Sequence, residues 1–364
     1  MVWRCARVGR LQHFKVALVR AAGSDSVGSE QWTEERFPVR TVFLEWNVSQ
    51  SVISVDRVTK RFSGHTAVKQ FSLEVPQGAV FGLLGPNGAG KTTTIRMIMD
   101  IIRPDEGRVT LFGGAGTGRD LSARIGFLPE ERGLYPKMQV LGQLAFLAEI
   151  KGLPRVDALR RGREWLERLG LGEWAEKKVE DLSKGMQQKA QFIGTLMHDP
   201  DLVILDEPFS GLDPVNTKAM KDVVVDFARR GKTVLFSTHI MEQAERMCDH
   251  IVIIARGEKV VDGKLTDIKA EYGKSNLALE FSSNKEQAVP ILQDRSLFLS
   301  VDDYGATAEA EMAPGVEGDT VLRALVSAGV GLSRFEVVEP SLQKIFIAKV
   351  GDTAGTAARE PGGA

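Results

Sequence analysis

The sequence predicts an α/β fold followed by a small α+β appendage. Three observations carry this prediction. A short apolar strand at residues 79–84 runs into a glycine-rich turn and then into a helix covering about residues 94–99. Strand-length apolar runs then alternate with helical periodicity as far as residue 237. From residue 275 the texture changes to short alternating segments. Alternating strand and helix is the pattern of a parallel sheet covered by helices, whereas grouped short strands point to a separate α+β unit.

The 364 residues suffice for one large domain or two modest ones, and the composition is that of an ordinary globular protein. A net charge of −1 gives no electrostatic footprint for nucleic acid, so none is expected as a partner. Cys5 and Cys248 are the two cysteines. Far apart in sequence, they suit a reducing compartment and offer neither a disulfide framework nor a thiolate metal site. No apolar run approaches the ~18–20 residues that span a bilayer, so a membrane pore, if one is involved, belongs to another polypeptide.

The elements follow in order. Residues 1–50 begin with Arg4, Arg7, Arg10, Lys15 and Arg20 and no acidic residue among the first twenty. A targeting peptide is one reading; the preferred one is a disordered extension or upstream sequence from a misassigned start codon. Organised sequence begins near Val52 with the alternating run VISVDRVTKRF, then FSLEV and the turn Pro76-Gln77-Gly78. After the glycine-rich turn and its helix comes a strand in 108–114. Residues 141–153 and 156–170 carry apolar positions at helical spacing, so a helical insert is expected between about 125 and 182. Helices at about 185–198 and 217–230 precede strands at 202–205 and 233–237. Residues 275–348 read as the appendage, and the small-residue tail 349–364 is not expected to order itself.

Three segments carry chemistry. Gly85, Pro86, Asn87, Gly88, Ala89, Gly90, Lys91 and Thr92 fit G-x-x-x-x-G-K-[ST], between the strand and the helix that this motif requires. The glycines free the backbone to form a nest of inward N–H groups. Lys91 supplies a charge for β- and γ-phosphates, Thr92 a hydroxyl for Mg²⁺, and the helix its positive end. Next, VILDEPFSGLD at 203–213 ends a strand in two carboxylates, Asp206 and Glu207. One can serve Mg²⁺ through a water and the other can orient an attacking water. Finally, LSKGMQQK at 182–189 offers a serine, a glycine and a helix start to an anion, although a serine there is by itself an ordinary cap.

GPNGAGKTT, LSKGMQQ, ILDEP, SGLD and the His239 of LFSTHI, in that order, resemble the ATP-binding subunit of an ATP-binding cassette (ABC) transporter over residues 52–263. The resemblance implies a P-loop NTPase cassette with a helical subdomain over 51–274, and a small C-terminal α+β domain. It implies ATP and Mg²⁺ as ligands and a second cassette paired head to tail. Ser183 and Gly185 would then contact the γ-phosphate in trans, and Asp213 would cross the dimer interface. Glu207 would polarise water and His239 would hold the γ-phosphate. Phe62 would stack on adenine, for which the alternative is core packing, and Thr93 would reach the α-phosphate.

Two positions depart from the family pattern LSGGQ and its metal-linking glutamine. Lys184 and Met186 replace the third and fifth signature residues, and Glu130 stands where the glutamine is expected. A carboxylate at Glu130 can still ligate Mg²⁺ but adds charge beside the γ-phosphate. LPEERGLYP, LSKGMQQK and VVEPSLQKIFI further resemble bacterial ABC-2 type exporters, including sodium-efflux and antibiotic-resistance ATPases. This implies membrane permease subunits as partners, docked near residues 127–147, and a cytoplasmic place on the inner face of the cell membrane. Two alternatives stay open: a soluble cassette ATPase acting on ribosomes or DNA, and a catalytically weak regulatory cassette. A single phosphate loop without sustained heptads speaks against the first, and Glu207 with His239 against the second.

Overall fold

A computed structural model describes residues 51–131, 133–272 and 276–357 of the chain. The expected extension at 1–50 lies outside the described residues. The described chain opens with a hairpin, β1 (Ser51–Phe62) and β2 (His65–Pro76). Then follow β3 (Val80–Leu84), α1 (Lys91–Ile98), β4 (Glu106–Leu111) and β5 (Ile125–Leu128). The helical region holds α2 (Val140–Ile150), α3 (Arg155–Arg168) and α4 (Lys184–Leu196). Beyond it come β6 (Leu202–Asp206), α5 (Pro214–Arg229), β7 (Thr233–Thr238), α6 (Met241–Glu245), β8 (His250–Ala255), β9 (Glu258–Lys264) and α7 (Leu265–Tyr272).

A six-stranded sheet in the order β5-β6-β7-β3-β8-β9 forms the centre. Its strands are parallel except β9, which pairs antiparallel with β8. Strands buried on both faces read as continuous apolar runs, and β3 and β6 are buried at every position. Successive side chains point to opposite faces. Accordingly Val80, Leu84, Val203, Leu205, Val234 and Phe236 join the core under the helices. Phe81, Leu83, Ile204 and Leu235 join a second core, with α1 and the antiparallel sheet β2-β1-β4.

The C-terminal unit is a four-stranded antiparallel sheet, β11-β12-β10-β13. Its elements are β10 (Asn276–Ser283), α8 (Val289–Leu292), β11 (Phe298–Asp303), β12 (Thr307–Met312), α9 (Gly318–Ser327) and β13 (Gly331–Val338). A final helix, α10 (Leu342–Ala357), follows. Leu342 and Ile345 of α10 are buried in the main core of the cassette rather than in the core of the appendage.

Three expectations need correction. The insert does not begin at residue 125, because Ile125–Leu128 is an edge strand paired in register with Leu202–Leu205. Its four residues are too short a run for periodicity to distinguish strand from helix. The helix expected at 217–230 starts earlier, at Pro214, because Asp213 caps it and a proline suits its first turn. Of the tail expected to lack order from 349, the residues up to Ala357 continue α10, and 358–364 lie outside the described residues. Docking of Leu342 and Ile345 supplies the costly first turn, after which each added residue gains a bond.

Candidate functional site

The parallel strands of the central sheet end at one edge, where open α/β sheets bind ligands. β3 delivers the phosphate loop to that edge, β6 delivers Asp206 and Glu207, β7 delivers His239, and β5 delivers Glu130. β7 lies between the other two central strands, with Leu84 opposite Thr238 and Asp206 opposite Ser237. His239 therefore leaves the sheet between the loop and the carboxylates.

Gly85, Gly88 and Gly90 have φ of 152°, 77° and 110°. A Cβ on Gly85 would sit 2.1 Å from the Ile254 carbonyl oxygen, and one on Gly90 would sit 2.6 Å from that of Ala67. Conformation and packing both demand glycine there. Pro86, Asn87 and Gly88 are exposed, Ala89 is buried, and the Ala89 N–H donates to the Pro86 oxygen at 3.2 Å. The first turn of α1 has no side-chain cap and no acidic residue, which leaves its N–H groups and dipole to an anion.

Lys91 is buried, and its ammonium donates to the carbonyls of Gly85 at 2.8 Å and Pro86 at 3.3 Å. The same ammonium lies 3.4 Å from Glu207 Oε1. His239 Nδ1 lies 3.0 Å from that same oxygen. Asp206 and Glu207 are both buried, and burial pushes the Asp206 carboxyl above its usual range while hydrogen bonds from Ser237 and Thr92 pull it back. Glu207 adopts φ of 48°, a left-handed conformation that costs a non-glycine residue on the order of 1 kcal/mol or more. This turn separates the two adjacent carboxylates.

Lys91, Thr92, Asp206, Glu207 and His239 thus form one group. No hydrogen bond or ion pair among the described residues joins Phe62, Glu130, Ser183, Gly185 or Asp213 to it. Phe62 is 50% exposed at the end of β1, with the Lys60 ammonium 5.7 Å from its ring centroid, which removes the core-packing alternative. Ser183 is the exposed N-cap of α4, accepting from the Met186 N–H at 3.3 Å, and Gly185 is half-buried in the first turn. Asp213 caps α5, and the N–H of Asn216, its side-chain amide and the N–H of Val215 hold its carboxyl below the usual range. Thr93 is half-buried beside Thr92, and Glu130 is exposed just beyond β5.

Sequence reasoning missed Ser237, which is fully buried and bonded to both carboxylate residues. It also missed Gln188, whose amide donates to the Pro208 carbonyl beside Glu207 at 3.2 Å. The only signal for Ser237 is a hydroxyl closing the apolar run TVLF, and its partner emerges only with the strand register.

The fit to Mg²⁺ rests on the donor set. The Thr92 hydroxyl lies near enough to the Asp206 carboxylate to lower its pKa, so both oxygens face the loop's end of the sheet. Mg²⁺ takes one or two protein oxygens and completes its octahedron with water and phosphate. Among the described residues no group of three or more His, Cys, Asp or Glu side chains could hold a metal without such help.

Comparison with known proteins identifies the family. Residues 68–210 match the family model described as ABC transporter, and residues 263–350 match one described as ATP-binding protein DrrA1-3-like, C-terminal domain. The chain is 42% identical over 300 residues to the uncharacterized ABC transporter ATP-binding protein YhaQ of Bacillus subtilis, covering 82% of this chain and 99% of that protein. It is 32% identical over 309 residues to the linearmycin resistance ATP-binding protein LnrL of the same organism, covering 83% and 99%. Among solved structures, a dimeric bacterial ABC transporter cassette superposes with a TM-score of 0.54 at 25% identity, covering 58% of this chain and 98% of that one.

Proposed function

The chain belongs to the family of ABC transporter ATP-binding proteins, and on that premise we propose that ATP closes two copies head to tail and that closure drives export through separate permease subunits. It is an ATPase whose turnover powers transport. The observation that carries the hydrolytic part of this reading is the shared oxygen, Glu207 Oε1, at 3.0 Å from His239 Nδ1 and 3.4 Å from Lys91 Nζ.

Each residue has a role in this reading. The nest from Gly85 to Gly90 and the start of α1 bind the phosphates, Lys91 neutralises the β- and γ-oxygens, and Thr93 reaches the α-phosphate. Phe62 offers its exposed ring to adenine. Thr92 and Asp206 would hold Mg²⁺, with Glu130 as a further oxygen, and the ion would offset the negative charge of the phosphates. Glu207 accepts the proton of the attacking water, and His239 orients Glu207 and the γ-phosphate. Ser183 and Gly185 close over the partner's nucleotide, and Asp213 lies along the interface. The exposed positions of Ser183 and Asp213 support this, and so does the dimeric relative.

The permease is proposed to dock on the helical region, where Tyr135 and Phe146 are exposed and meet edge to face at 6.4 Å while Leu141, Leu144 and Ala145 form core. Arg132, expected at this surface, lies outside the described residues. The linearmycin resistance relative supports export as the direction. No helix among the described residues is long and apolar enough to cross a membrane. The proposed place is the inner face of the cell membrane, where cytoplasmic ATP is at hand. The comparisons lend no support to a ribosome- or DNA-associated ATPase or to a catalytically weak cassette.

Head-to-tail sharing has a direct test. Lys91→Ala and Ser183→Arg each spoil both sites of their own homodimer. A mixed dimer regains one intact site, built from Lys91 of one copy and Ser183 of the other. Mixing the two inactive variants should restore ATP hydrolysis; a mixture no more active than its parts would rule out sites shared in trans.

A further inference from the structure

We propose that Ser237 is a positioning residue for hydrolysis: its single hydroxyl ties the Asp206 side chain to the Glu207 main chain and so sets where the Glu207 carboxylate points. The inference rests on Glu207 being the group that activates water.

Ser237 is fully buried near the end of β7, directly opposite Asp206 in the parallel pairing with β6. Its Oγ accepts the Glu207 N–H at 3.1 Å and donates to Asp206 Oδ1 at 2.5 Å. The direction of both bonds is fixed. An amide can only donate and an ionised carboxylate can only accept, so the hydroxyl proton must go to Asp206. One atom thereby spans the residue read as the metal ligand and the residue read as the base.

The Glu207 backbone explains why this matters. Its φ of 48° turns the chain out of β6, so its buried N–H needs a partner outside the regular ladder. A left-handed non-glycine residue persists only where its surroundings over-determine it. Ser237 supplies that constraint, and the turn it fixes brings Oε1 to 3.0 Å from His239 Nδ1. Ser237 and His239 sit two residues apart on the exit of one strand, so the hydroxyl also fixes the spacing between the ends of β6 and β7. The neighbouring Thr238 hydroxyl does something else: it accepts the Ile240 N–H at 3.1 Å and donates to Gln243 Oε1 at 3.1 Å, shaping the turn that carries His239.

A serine that merely filled space would be replaceable by any residue of the same volume. Thr and Val have nearly the same shape and differ by the hydroxyl, so the comparison is Ser237→Thr against Ser237→Val in the full chain. Turnover, KM for ATP, binding of a fluorescent ATP analogue and thermal unfolding are measured for both. Ser237→Val should lose about 10–100-fold in kcat with KM within about three-fold of wild type, the scale seen when a supporting hydrogen bond behind a site is removed. Ser237→Thr should keep most of the turnover. Equal turnover in the two variants, or a loss of nucleotide binding that matches the loss of turnover, would overturn the proposal. Should the added methyl unfold both, Ser237→Ala decides: wild-type turnover overturns the proposal, and slow turnover with intact binding supports it. Glu207→Gln is measured alongside. If that variant turns over normally, the role of Glu207 itself fails; if it is inactive while Ser237→Val is not, only the Ser237 inference fails.

Discussion

His239 Nδ1 and Glu207 Oε1 stand 3.0 Å apart across the ends of two adjacent strands, β7 and β6. The contact makes Glu207, the proposed base, and His239, its proposed orienting group, one unit held by the sheet. Lys91 reaches the same oxygen from the phosphate loop at 3.4 Å, so three segments distant in sequence converge on one carboxylate. A shift of the loop, of β6 or of β7 would be felt by the other two.

His239→Ala should therefore slow hydrolysis without abolishing nucleotide binding, because the phosphate nest does not use it. A loss of about 100-fold in kcat is expected for removing one aligned polar group from such a site. Single-turnover hydrolysis, together with titration of a fluorescent ATP analogue, separates the two effects. Unchanged single-turnover rates would remove His239 from the mechanism.

Acid stability should depend on His198. This imidazole is buried at the end of α4 with neither ring nitrogen in a well-formed hydrogen bond. Burial, then the Lys151 ammonium, lowers its pKa from 6.5 to about 4, while the Ile125 backbone and the Asp199 carboxylate act the other way. Between those values the unfolded chain binds the proton and the folded chain does not. Stability from this group is thus full above pH 6.5 and is lost as pH falls towards 4, by at most about 3 kcal/mol. Urea unfolding at pH 7 and pH 5 should show the decline in wild type and a smaller one in His198→Leu.

The final helix should behave as part of the cassette core. Ile345 is buried there, and the Leu342 N–H donates to Glu245 Oε1 at 2.8 Å, a carboxylate also paired with Lys269 at 3.0 Å. Ile345→Ala should cost about 2–5 kcal/mol, the usual range for emptying a buried aliphatic position. Ile347→Ala, at an exposed position, should stay within about 0.5 kcal/mol. Chemical denaturation of the two variants checks the contrast; equal costs would mean that α10 is not docked as described.

The phosphate loop was legible in the sequence because its constraints are local: positive φ at Gly85, Gly88 and Gly90 and a lysine at fixed spacing. The carboxylate pair was legible because a strand ends in it. Ser237 and the edge strand β5 were not, since each is defined by a partner in register on another strand. Asp213 carries a second signal: with Pro214 it caps α5 and sets where that helix starts. The helical start of the tail, up to Ala357, was hidden for the opposite reason, because composition alone cannot see that the preceding turn is anchored in a core.

The most direct test of the central claim, that ATP joins two copies until Glu207 drives its hydrolysis, is the mass of Glu207→Gln in solution with Mg²⁺ and ATP, by light scattering after size exclusion. Without the base, the nucleotide should stay intact and hold a stable dimer that ADP does not support. A Glu207→Gln chain that remains monomeric with ATP bound, or that hydrolyses ATP at the wild-type rate, would contradict the account.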